Sequence, residues 1–182
     1  MNSCMGMKRT KNFRLIILDM DYQIIDNALP EKEFEDLRDT ILCPDFPWNL
    51  SPIVTNNAEK LPKCASYYFT HLFWDGFEVQ SESQLFAPIL RLIQCNAVIR
   101  IKANCYPSTH ERILHDNHCD YEFAHKGAIY YLNTNNGLTI LEDEVEVESV
   151  ENRLLLFDPS KPHRSVTCTD DKCRVNVNFN YF

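Results

Sequence analysis

The sequence predicts a mainly β domain, a C-terminal β-sandwich or barrel with helices packed outside it. Three observations point there. From Val98 to Phe182 the chain shows apolar runs of strand length separated by turn signals, with no helical period. Helical patterns occur only in the first half, so helices precede the β region rather than alternate with it. A length of 182 residues, 45% of them apolar, suits one domain able to bury a core without staples.

The elements follow in chain order. Residues 1–11 read as a loose tail. "NFRLIILDMDYQIID", rich in Leu and Ile, reads as one or two strands. "LPEKEFEDLRDTIL" reads as a helix: Pro30 suits the first turn, acids crowd the start, and Phe34, Leu37 and Ile41 form a stripe. Residues 43–63 are proline-rich and read as an irregular loop. "SYYFTHLFW" is a strand by its aromatic content. "SESQLFAPILRLIQ" opens with Ser81 and Gln84 at capping-box spacing, and Pro88 marks its first full turn or a kink. The strands "VIRIKANCY", "GAIYYLN", "LTILEDEVEVESV", "RLLLFD", "RSVTCT" and "CRVNVNFNYF" complete the chain, with "NTNNG" and "TDDK" as turns. One domain over 1–182 is expected, with helical support and outer strands in 12–97 and the β core in 98–182.

Composition narrows the function. A net charge of −8 argues against nucleic acid, which is held by Lys and Arg on phosphates. The acidic run Glu142, Asp143, Glu144, Glu146 and Glu148 alternates with Val145 and Val147, as in a half-buried strand with a solvated acidic face. Eight cysteines without a CxxC pair are scattered along the chain and read as free thiols in a reducing, cytoplasmic setting (the host cytoplasm for a viral protein). No apolar run is long enough to span a bilayer, so no membrane partner is expected.

The chemistry centres on "HCDYEF". On a strand, side chains alternate faces, so His118 and Asp120 point one way and Cys119 the other. Such a pair is half of a metal site or an ordinary surface pair. Downstream, His163 follows Pro162 at the start of a strand, and the last strand shows Arg174, Asn176, Asn178 and Asn180 on one face, with Val175, Val177 and Phe179 on the other. Two histidines and one carboxylate match the facial triad of non-haem Fe(II) oxygenases. An arginine one hairpin beyond the second histidine suits a carboxylate clamp. His115 and Asn117 offer a shifted version of the pair, weakened by the neutral Asn. His71, His110 and His125 read as surface or substrate-pocket residues. "LIILDMDYQ", with Asp19 and Asp21, is similar to the nucleophile strand of haloacid dehalogenase-type phosphatases, but that chemistry sits on a doubly wound α/β sheet.

The combined pattern, His118-x-Asp120, His163 and Arg174, resembles the Fe(II)/2-oxoglutarate-dependent dioxygenases. "NCYP", "AIYYLN", "NGLTILED", "ENRLLLFDPSKPH" and "CRVNVNF" resemble the prolyl 4-hydroxylase-like branch of short phage and bacterial type, over residues 98–182. The resemblance implies a double-stranded β-helix, the jelly roll of cupin-like proteins. It also implies Fe(II) on His118, Asp120 and His163 as the catalytic metal centre, with O2 and 2-oxoglutarate as cosubstrates. Arg174 would pair with the far carboxylate of 2-oxoglutarate, helped by Tyr131, with Tyr106 and Asn178 lining the cosubstrate pocket. Where the family often has two adjacent glycines, "NNGLT" has only Gly137.

The implied activity is hydroxylation of a C–H bond, with release of succinate and CO2. The substrate is a prolyl or other peptide or protein residue, or a small molecule, left unidentified. Two alternatives stand beside it: a non-catalytic jelly-roll binding module, and a zinc-dependent hydrolase using the same triad.

Overall fold

A computed structural model describes residues 22–54, 58–76 and 83–182. Asp19, Asp21 and Ser81, and with them the dehalogenase-like strand and the capping box, lie outside the described residues, as do 1–11. In chain order the elements are β1 (Tyr22–Ile25), α1 (Glu31–Ile41), β2 (Asn49–Ser51), β3 (Tyr68–Trp74), α2 (Ala87–Leu92), β4 (Val98–Pro107), β5 (Lys126–Tyr131), β6 (Asn135–Ile140), β7 (Glu146–Ser149), β8 (Leu154–Phe157), β9 (Arg164–Ser165) and β10 (Cys173–Tyr181).

The strands form two antiparallel sheets. The larger has the order β1-β8-β5-β10-β4-β3-β2 and the smaller β7-β6-β9. Arg174 on β10 ties the two together, since its guanidinium donates to Ser149 on β7 and Thr139 on β6. The result is a jelly roll whose large sheet has two different faces. On the outer face Tyr130, Leu154, Val175, Val177 and Phe179 bury against Phe34, Leu37 and Ile41 of α1 and Ile89 of α2. The inner face, looking toward the small sheet, is polar along β4 and β10, while Ile129, Tyr131 and Leu155 of β5 and β8 pack there with Leu141 and Val147. Period-two alternation on β10 produces both faces at once.

Helix α1 forms where the sequence places it. Glu31 and Glu33 occupy its first turn and Arg38 its last, matching the helix dipole. Its apolar stripe is fully buried, each side chain contributing about 1.5–3 kcal/mol. Pro30 is the N-cap rather than part of the first turn. Asn152, with a left-handed φ of 57°, latches the chain ahead of the helix. Its side chain accepts from the Leu29 N–H and the Tyr130 hydroxyl and donates to the Leu29 carbonyl, all within 2.9 Å.

Two expectations need correction. The acidic run is not one strand: residues Glu142–Glu144 form a 3₁₀ turn, with Asp143 and Glu144 both at φ 62°, and only Glu146 and Glu148 project from a strand. The left-handed turn reverses the chain from β6 to β7, which alternation of residue types cannot reveal. "SESQLFAPILRLIQ" is likewise split, a 3₁₀ turn over Ser83–Phe86 leading into α2, where Pro88 sits in the first turn. Among the described residues no helix is long and apolar enough to cross a membrane.

Candidate metal and dicarboxylate site

His118 and His163 come from segments 45 residues apart in sequence that meet as an isolated antiparallel bridge. Each backbone N–H donates to the other's carbonyl, at 2.9 and 3.0 Å. The bridge sets the two imidazoles side by side, ring centroids 4.4 Å apart. Asp120 is fixed by its N–H to the Pro159 carbonyl, 2.9 Å away. The donor atoms of His118, Asp120 and His163 all lie within 4.8 Å of one another, and His118 Nε2 is 4.0 Å from Asp120 Oδ1. His118 sits in this bridge rather than in a continuous strand, yet it and Asp120 still face one side.

The electrostatics keep these groups ready to ligate. Partial desolvation, then the neighbouring His163, lower the His118 pKa, although 42% of its side chain still meets solvent, and favour a neutral imidazole at pH 7. Burial works against the Asp120 charge, but Arg100, a hydrogen bond from Asn180 and the imidazoles outweigh it and hold the carboxyl below its usual range. His163 donates Nδ1–H to the Lys161 carbonyl at 3.1 Å, which directs the Nε2 lone pair inward. That Nε2 is buried and has no hydrogen-bond partner. A buried ring nitrogen without a partner, beside the neutral His118 imidazole and a carboxylate, fits a divalent metal with two nitrogen ligands and one oxygen ligand.

A narrow cleft of about 30 Å³ runs from His118 and His163 to Arg174; its walls include Tyr106, Thr139, Asn176 and Asn178. Arg174 is 1% exposed. Its partners are the hydroxyls of Ser149 (2.7 Å) and Thr139 (2.8 Å) and the rings of Tyr106 and Tyr131, each 5.6 Å from the guanidinium carbon. No carboxylate among the described residues pairs with it. A buried cation with only neutral partners is costly unless an anion completes the site. Gly137 lets the arginine lie there, since a Cβ at that position would come within 2.6 Å of Arg174 Cδ.

Tyr131 is on the Arg174 side, its hydroxyl donating to Thr139 at 2.8 Å, whereas Tyr130 faces the helix side and Asn152. Tyr106 stacks on Tyr68 with centroids 5.1 Å apart. Burial pushes both phenols up, so Tyr106 and Tyr131 stay protonated at pH 7. Asn178 lines the cleft with a buried, unpartnered Oδ1.

Several residues near the site did not stand out in the sequence. Asn180, 1% exposed, donates to Asp120 Oδ2 at 2.8 Å and to His125 Nε2 at 3.1 Å. Arg100 pairs with Asp120 Oδ1 at 3.1 Å. The signal for Asn180 was its shared face with Arg174; for Arg100 it was the same alternation along "VIRIKANCY". His125 is buried rather than on the surface, its Nδ1–H on the Phe123 carbonyl at 2.8 Å, and it lines a second cleft beside Lys126 and Gly127. His71 is also buried, bonded to the Pro47 carbonyl and packed on Phe73 in the helix-side core. His115 supplies no metal ligand; its Nδ1 meets Ser165 Oγ at 2.7 Å.

No family model matches the chain, and no curated protein matches it in sequence. Solved structures do match in fold. A viral collagen prolyl hydroxylase from Paramecium Bursaria Chlorella virus-1, in its 2OG complex, superposes with a TM-score of 0.60 at 12% identity, over 88% of this chain and 95% of that one. A Pseudomonas putida prolyl-4-hydroxylase gives 0.56 at 16% identity, over 88% and 92%. The non-heme alpha ketoglutarate dependent epimerase SnoN from nogalamycin biosynthesis gives 0.62 at 12% identity, over 89% and 77%. The chain therefore has the double-stranded β-helix fold seen in these iron- and 2-oxoglutarate-dependent enzymes.

Proposed function

We propose that this protein is an Fe(II)- and 2-oxoglutarate-dependent dioxygenase that hydroxylates a C–H bond of its substrate, with a prolyl or other peptide residue as the expected target. The observation that carries the reading is the pairing of two features at one cleft: a His–Asp–His cluster with metal-ligand spacing, and a fully buried arginine with no carboxylate partner among the described residues. A zinc hydrolase needs the first and has no use for the second. A binding module needs neither.

His118, Asp120 and His163 would hold the iron, which, with 2-oxoglutarate and O2, supplies oxidative decarboxylation coupled to hydroxylation. Arg174 would neutralise the far carboxylate of 2-oxoglutarate, held in orientation by Ser149 and Thr139. Tyr131 presents its hydroxyl beside Thr139, within the same hydrogen-bonded group. Tyr106 covers the guanidinium and excludes water from it, and Asn178 offers a further polar contact in the cleft.

An anaerobic titration tests this. Fe(II) is added to the apo-protein, then 2-oxoglutarate, while visible absorption is followed. A weak charge-transfer band that needs both additions is expected. Iron bound without such a band would remove 2-oxoglutarate from the reading and reopen the zinc hydrolase.

A further inference from the structure

Strand β4 turns alternate residues to the inner face: Arg100, Lys102, Asn104 and Tyr106. Three of these have defined roles there. Tyr106 covers Arg174, Asn104 donates to Asn176 at 3.1 Å, and Arg100 meets Asp120. Lys102 does not. It is half-buried and lies opposite Asn178, a wall of the cleft. Its ammonium reaches only the Tyr68 hydroxyl at 3.4 Å and the Tyr68 ring at 5.6 Å. No described carboxylate pairs with it.

Arg100 is only provisionally neutralised. It holds Asp120 Oδ1, the oxygen that faces His118 Nε2, and a metal at the triad competes for that oxygen. Its Nε is buried without a partner, and the guanidinium lies 5.3 Å from the Tyr121 ring. Once a divalent metal, Asp120, Arg174 and a 2-oxoglutarate dianion are set against one another, Arg100 and Lys102 remain as two uncompensated positive charges. That excess stands in a chain of net charge −8. Surface composition does not account for it.

We propose that the substrate of this site carries an oxyanion, a carboxylate or a phosphate, bound by Lys102 with Arg100 beside it, next to the bond that is oxidised. The inference rests on the dioxygenase reading and adds the substrate's charge class. Lys102 acts as a point charge on a flexible stem and Arg100 as a planar fork, and together they suit an oxyanion of either kind. Tyr68 and Tyr121 flank the two cations with apolar surface that lowers the local dielectric.

The test uses the full chain loaded anaerobically with Co(II) and 2-oxoglutarate. The probes are N-acetyl-glutamate amide, its uncharged isostere N-acetyl-glutamine amide, and inorganic phosphate. Cobalt-induced relaxation of each probe, read by proton or phosphorus NMR, reports binding beside the metal without turnover. The glutamate probe or phosphate should relax at least about threefold more than the glutamine probe, and the stronger of the two identifies the oxyanion. Lys102→Met should abolish the difference, and Lys102→Arg should retain it. Equal relaxation of the glutamate and glutamine probes without phosphate binding, or a Lys102→Met protein that behaves as wild type, overturns the inference. So does loss of 2-oxoglutarate loading in Lys102→Met, which would move Lys102 to the cosubstrate. A wild-type chain that takes up no Co(II) or no 2-oxoglutarate fails earlier, at the loading step, and refutes the dioxygenase reading instead.

Discussion

Arg174→Met separates what the arginine does for the fold from what it does for a ligand. In the wild type the guanidinium is buried against two neutral hydroxyls, with no carboxylate among the described residues to balance it. Methionine keeps the aliphatic stem beside Gly137 and removes the charge. Without ligand, relief of the desolvation cost and loss of two hydrogen bonds roughly cancel, so stability should change by no more than about 1 kcal/mol. With 2-oxoglutarate the outcome differs. Losing a charge-assisted pair costs about 3 kcal/mol, roughly 100-fold in Kd. At a ligand concentration near 100 times the wild-type Kd, binding adds about 2.7 kcal/mol to wild-type stability. For a domain of this size that is a rise in Tm of about 5–11 °C. The variant at the same concentration sits near its own Kd and should gain only about 0.4 kcal/mol, roughly 1 °C. The assay is thermal unfolding with Mn(II) at the metal site, with and without 2-oxoglutarate. A variant that keeps the full ligand-dependent rise would show that the anion is held elsewhere.

Three further outcomes are expected. Gly137→Ala places a Cβ within 2.6 Å of Arg174 Cδ and 2.9 Å of the Val166 carbonyl, so it should lower stability by about 1–3 kcal/mol and weaken 2-oxoglutarate binding; unchanged affinity by calorimetry would mean that Arg174 needs no such room. Asn180→Ala removes the hydrogen bond to Asp120 Oδ2 and should weaken Co(II) binding about 10–100-fold in a competition titration, against an apo-protein that still unfolds cooperatively. Burial, then Arg174, lower the His115 pKa to about 4, so the unfolded chain takes up its proton first as pH falls. The stability that neutral His115 contributes is complete above about pH 6.5 and is lost between there and pH 4, on the order of 2–3 kcal/mol. His115→Asn should flatten Tm against pH over that window, and a slope equal to wild type would assign the loss to other groups.

The parts of the site legible in the sequence are those governed by strand parity. Arg174, Asn176, Asn178 and Asn180 alternate with Val175, Val177 and Phe179, and that period alone separates the cleft face of β10 from its core face. The same rule sets Tyr131 apart from Tyr130. What the sequence hid depends on register between distant segments. Asn180 meets Asp120 across 60 positions, and His125 joins them only because β5 pairs with β10. His71 has polar chemistry but lies on the apolar side of β3, a placement fixed by its pairing with Ala103. The turn at Asp143 and Glu144 escaped notice because residue types that alternate can still break direction through positive φ.

The bridge between His118 and His163 has a kinetic consequence. The two imidazoles are clipped together by reciprocal backbone hydrogen bonds that use no side-chain ligand atom. Chelation then needs little reordering of the chain, so capture should be a single bimolecular event, first order in metal, rather than a folding step awaiting its ion. Release should leave the cradle intact for the next ion. The site should therefore exchange one divalent cation for another readily, and occupancy should follow the mixture of metals around the protein rather than the history of its folding.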